Sequence, residues 1–161
     1  MQNEKILEAI RESTANVFST VLSLEVAPGE ASEQANPEPL NGVVALLGFT
    51  GEWTGTGLFY CHEKLACRLS STMLMTEISE VTNDVLDGVG ELANIVLGNV
   101  KDRLTELVGR MDMSIPTVIY GRNFQTRSSG QRTWLVAPFS VGGDHFEIRV
   151  CLGPKHARPA P

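Results

Sequence analysis

The chain has little of several things, and each shortage excludes a class of protein. Its 161 residues include three cysteines, Cys61, Cys67 and Cys151, an odd number without metal-ligand spacing, so neither a disulfide framework nor a zinc site is encoded in them. They are read as reduced and packed. Three histidines, His62, His145 and His156, share no helical or strand spacing and read as isolated surface or loop residues rather than metal ligands. The longest apolar run, "VVALLGF", falls far below the roughly 20 residues that a transmembrane helix needs, so no membrane association is expected. The opening "MQNEKILEAIRES" interleaves charge with apolar residues and has no continuous hydrophobic leader. A cytoplasmic protein is the expectation. Positive charge is also scarce: 13 Lys and Arg stand against 19 Asp and Glu, and no basic stripe is available to a phosphate backbone. Nucleic acid is therefore not an expected partner.

What is present suits one ordinary domain. The chain is long enough to bury a core and too short for two full ones. Residues 1–153 are read as that domain, and residues 154–161, "PKHARPAP", as a tail too rich in proline and too poor in apolar side chains to pack.

Residues 4–23 place Ile6, Ile10, Val17 and Val21, with Leu24 just beyond, near helical spacing and predict a first amphipathic helix. The Pro- and Gly-rich "APGEASEQANPEPLNG" that follows predicts an exposed connection or an irregular edge strand. "GVVALLGFTG" and "EWTGTGLFYC" read as a hairpin turning at Gly51-Glu52. Gly55 and Gly57 lie inside that second strand without the rest of a nucleotide-binding fingerprint, so they read as close packing or a bulge. "HEKLACRLSSTML" returns to helical spacing. Residues 79–109 then form the longest helical candidate, with Ser79 or Thr82 as its cap. "SIPTVIYG", "RTWLVAPFSV" and "DHFEIRVCL" read as strands, the last two joined through Gly142-Gly143. The order α, ββ, α, α, βββ predicts an α/β protein of the α+β type, a sandwich in which an antiparallel-dominated sheet is covered by helices. "TANVFSTVLSLEV" and "LANIVLGNVKDRL" share an Ala-Asn-aliphatic core, a possible internal pseudo-repeat in which Ser13 stands where the second copy has Glu91.

The long helix carries the chemistry. At about 100° per residue, Val85, Leu86, Val89, Leu92, Ala93, Val96, Val100, Leu104 and Leu107 gather on an arc that must face the core. Asp84, Asp87, Glu91, Asn94, Gly98, Lys101 and Asp102 gather opposite. Glu91 and Asn94 are an i, i+3 pair on neighbouring turns. Gly90 and Gly98 each cost about 1 kcal/mol relative to alanine inside a helix, and a glycine on an outer face lets another backbone approach. The pair beside it offers an anionic acceptor for an ammonium group and an amide that both donates and accepts. That is chemistry for positioning, because neither group is a nucleophile. Spacing alone favours a plain solvated face. A carboxylate set of Asp84, Asp87 and Glu91 working by acid/base catalysis is disfavoured, since such groups generally require burial.

"ELANIVLGN" resembles the signature Glu-x-x-Asn helix of the CheC/CheX/FliY group of response-regulator phosphatases. "GVVALLGFTGEWTGTGLFY", "SIPTVIYG" and "LVAPF" resemble strands of the same group in the same order, so the likeness runs from about residue 5 to 152. It is nearer to the CheX-like members, because only one complete Glu/Asn pair is present. The resemblance implies an enzyme, a protein aspartyl-phosphate phosphatase acting on a phosphorylated CheY-like response regulator. It implies Glu91 and Asn94 as the catalytic pair, with Asp87, Gly98 and Lys101 of the same stripe contacting the partner. No cofactor of its own is implied: Mg²⁺ would be supplied by the receiver. A homodimer formed through the sheets is the implied assembly. The alternative is a non-catalytic adaptor that docks a partner on the same helix face.

Overall fold

The computed structural model describes residues 2–127 and 132–155. A long first helix, α1 (Gln2–Leu22), precedes two short strands, β1 (Ala27–Pro28) and β2 (Ser32–Gln34), and the hairpin of β3 (Leu40–Gly51) and β4 (Trp53–Cys61). Helices α2 (Glu63–Leu74), α3 (Asn83–Arg103) and α4 (Thr105–Val108) follow. Four strands close the fold: β5 (Met111–Met113), β6 (Thr117–Phe124), β7 (Trp134–Val141) and β8 (Asp144–Pro154). All recorded pairings are antiparallel, in the order β1-β7-β8-β4-β3-β5, with β2 also on β7 and β6 also on β3. The expected α+β architecture is what forms.

The helices cover one face of this sheet. Val43, Ala45, Leu47 and Phe49 of β3 point into the main core with Phe59, Phe146 and Ile148, while Val44 and Leu58 join a smaller cluster with Trp134 and Val136 on the other face. That double burial explains the near-continuous apolar run of β3 where a half-exposed strand would alternate. Phe18 of α1 stacks on Phe146 with ring centroids 4.8 Å apart, pinning the helix to the sheet. The apolar stripe of α1 differs from the expected one at its end: Leu22 is buried whereas Val21 is 43% exposed. Ser23 takes φ +55° and Leu24 N donates to Phe18 O at 3.0 Å, a closing turn that redirects the chain.

The proline-rich connection supplies the irregular edge strand, as β1 and β2 hydrogen-bonded to β7. Gly142 and Gly143 have φ of +52° and +85°, the two left-handed positions of the tight turn that joins β7 to β8. β8 runs on to Pro154, opposite Trp53, and Lys155 N donates to Glu52 O at 2.8 Å, so pairing extends two residues into the segment expected to be unstructured. Residues 156–161 of that tail lie outside the described residues. All three cysteines are free and buried, and burial raises the Cys61 thiol well above its ordinary range. Among the described residues no helix is long and apolar enough to cross a membrane.

Candidate functional site

Helix α3 begins at Thr82, whose Oγ1 accepts from Val85 N at 3.4 Å; Ser79, the other expected cap, lies before the helix. Lys101 and Arg103 in its last turn suit the negative end of the helix dipole. Between these ends Val85, Val89, Leu92, Ala93, Val96 and Val100 of the expected arc are all buried, whereas Leu86 is only partly so, Leu97 is buried in addition, and Leu104 and Leu107 lie beyond the helix, which ends at Arg103 instead of running to residue 109. Seating that arc turns the opposite stripe outward. Asp84, Asp87 and Glu91 are exposed, and Asn94 and Gly98 are partly exposed.

The three polar side chains of "ELANIVLGN" are used differently. Asn99 bends back, its Nδ2 donating to Ile95 O at 2.9 Å within the helix. The side chains of Glu91 and Asn94 make no hydrogen bond or ion pair among the described residues. An acid and an amide one turn apart are thus held on a rigid element with their bonding capacity unspent. Lys101, expected on the partner-facing stripe, lies two-thirds or more covered at 26% exposure and pairs with Asp102, Nζ to Oδ1 3.4 Å. The exposure of Asp84, Asp87 and Glu91 deprives a carboxylate acid/base set of the burial it needs.

The glycines of α3 divide by cause. A Cβ on Gly88 would lie 2.7 Å from Ser70 Oγ of α2, and that hydroxyl donates to Val85 O at 3.2 Å where the two helices cross. A Cβ on Gly90 would lie 3.0 Å from Val118 Cγ2, so Gly90 lets α3 settle on β6. Gly98 is different: its Cβ would meet Met113 Cε at 3.6 Å, an ordinary contact that excludes nothing. Packing within the chain accounts for Gly88 and Gly90 and leaves Gly98 without a reason of that kind. Met113 belongs to β5, which sequence reasoning missed because a three-residue edge strand carries no readable alternation.

Comparison with known proteins supplies the family. The family profile of chemotaxis phosphatase CheX matches residues 43–140. A CheY-P phosphatase, CheX of Thermotoga maritima, is 27% identical over 150 residues, covering 92% of this chain and 96% of that protein. The crystal structure of chemotaxis protein CheX from Vibrio vulnificus superposes with a TM-score of 0.82 at 27% identity, over 92% of this chain and 99% of that one. The fold is also that of a chain in the CheX–CheY–BeF3–Mg complex of Borrelia burgdorferi, TM-score 0.76 at 22% identity, over 90% of this chain and 96% of that one. A profile match that spans β3 to β7 and takes in the whole Glu91–Asn94 helix places this chain in the CheX family of chemotaxis phosphatases.

Proposed function

We propose that this protein hydrolyses the aspartyl phosphate of a CheY-like response regulator, with Asn94 positioning the attacking water and Glu91 gripping the receiver's lysine. The observation that carries the reading is the unspent pair: an outward acid and amide, one helical turn apart, beside a glycine that packing within the chain does not require. The named activity of the Thermotoga maritima relative supports the substrate class.

Phosphoryl transfer depends mainly on alignment and on electrostatic stabilisation of the transferring group. The receiver brings the electrophile, its bound Mg²⁺ and a lysine. What remains to be supplied is a water held in line with phosphorus and the leaving carboxylate. The neutral Asn94 amide enters the anionic pocket without repulsion, accepts from the water through its oxygen and donates through its nitrogen. A free carboxylate in that place would repel the phosphate, so Glu91 belongs on the lysine, where an ion pair fixes the register of docking.

The test uses the purified chain with a panel of phosphorylated receivers. Asn94→Ala is expected to keep the native circular-dichroism spectrum and to lower dephosphorylation by on the order of 100-fold, the scale attached to misplaced reactants. Glu91→Ala is expected to weaken binding and rate together by about 10- to 100-fold, as loss of a hydrogen bond to a charged group does. Undiminished phosphate release by Asn94→Ala would overturn its role. Binding of a phosphorylated receiver without faster phosphate loss would assign the adaptor role instead.

A further inference from the structure

β3 pairs with two strands in succession along one edge, and their registers disagree. Phe49 stands opposite Met113 of β5, and Ser114 N donates to Gly48 O at 2.9 Å, so continuing this register would set Pro116 opposite Leu46. Leu46 instead pairs with Thr117 of β6. One extra residue is therefore inserted, and Ile115 and Pro116 together oppose Leu47. This is a β-bulge, a device that re-aims side chains and that gathers near active sites.

The bulge is held firmly. Ser114 is bonded twice to the same partner, because Gly48 N also donates to Ser114 Oγ at 2.8 Å. Pro116 fixes its own φ on the other side. On this anchored platform Ile115 is 87% exposed, although it is a β-branched apolar residue. Its position along α3 follows from two contacts of the adjoining strands. Met113, two residues before Ile115, lies against Gly98, and Val118, three residues after it, lies against Gly90. Asn94 is midway between those glycines, and the bulge is midway between those strand residues.

We propose that Ile115 is a docking residue for the phosphorylated receiver, seating in an apolar depression on the receiver beside the lysine that Glu91 meets. This rests on the function proposed above and adds its second contact: a polar stripe on α3 and an apolar knob on the bulge. The receiver is the occupant because the knob stands level with Asn94 along α3, between the strand residues that face Gly90 and Gly98. Such an anchor, buried on association, supplies affinity, while the polar pair supplies registry.

Binding to beryllofluoride-activated receiver separates this proposal from the chemistry. Ile115→Asp is expected to raise Kd about tenfold or more, the scale of an aliphatic anchor lost from an interface, whereas Ile115→Leu binds like the parent. With phosphorylated receiver the loss falls on KM rather than on kcat, the reverse of Asn94→Ala. An unchanged Kd in Ile115→Asp would overturn the docking role while leaving Asn94 untouched. Intact hydrolysis by Asn94→Ala with weakened binding by Ile115→Asp would do the opposite. A change in the molar mass of the free protein with Kd unaltered would show the knob to be covered by a second copy, which also overturns the proposal.

Discussion

His62 and Asp144 join the start of α2 to the end of the β7–β8 turn. His62 Nδ1 accepts from the Leu65 amide at 3.2 Å, and Nε2 lies 3.5 Å from Oδ1 of Asp144, whose Oδ2 accepts from Arg68 Nη1 at 3.1 Å. An accepting Nδ1 requires the proton on Nε2, so one imidazole caps the helix and faces the carboxylate in a single tautomer.

His62→Ala is expected to lower stability by about 1 kcal/mol, the usual worth of an N-cap, with the half-exposed contact to Asp144 adding little. Urea unfolding measures it, and His62→Ser is expected to recover most of the loss by restoring a capping oxygen. Identical midpoints for the parent and His62→Ala would show that the cap contributes nothing.

Gly98 separates stability from function. Gly98→Ala is expected to stabilise the chain by about 0.5–1 kcal/mol, because it removes an interior helical glycine and meets only the ordinary contact with Met113. Gly98→Phe is expected to fold yet to slow receiver dephosphorylation at least tenfold by filling the approach to Asn94. Thermal melting and phosphate release read the two effects separately; normal turnover by the Phe variant would remove Gly98 from the docking surface.

β6 presents a further expectation. Six of its eight residues pair with β3, on one side only among the described residues, leaving a long edge that includes Ile119 and Tyr120, 39% and 46% exposed. Such an edge is a template for pairing with another chain. A homodimer joined through the sheet is expected to have a molar mass of about 35 kDa by light scattering, twice the 17.5 kDa chain. A mass of one chain throughout the micromolar range would exclude it.

Much of the candidate site was legible in the primary sequence, because α3 obeys a local rule: seven apolar residues at helical spacing dictate which side faces the core, and the outward placement of Glu91 and Asn94 follows. The hairpin at Gly142-Gly143 was legible for the same reason, since two adjacent glycines state their own turn. What escaped reading depends on distant parts of the chain. Gly55 packs so closely on the Cys151 carbonyl that a Cβ would overlap it, and nothing near Gly55 announces a strand almost a hundred residues away. His62 escaped because histidine is not among the preferred capping residues. The bulge at Ile115 escaped because it is a mismatch between two registers, and neither register exists until β3 has paired with both neighbours.

Glu91 and Asn94 ride on one helix, so their separation along its axis is set at roughly 4.5 Å by the 1.5 Å rise per residue. They act as a fixed caliper, with no loop between them to adjust the gap. On the function proposed above, a receiver has to bring its lysine and phosphoryl group to that measure, and a change of client would have to come from reseating the whole rod on the sheet, through positions such as Gly88 and Gly90, rather than from altering the tips.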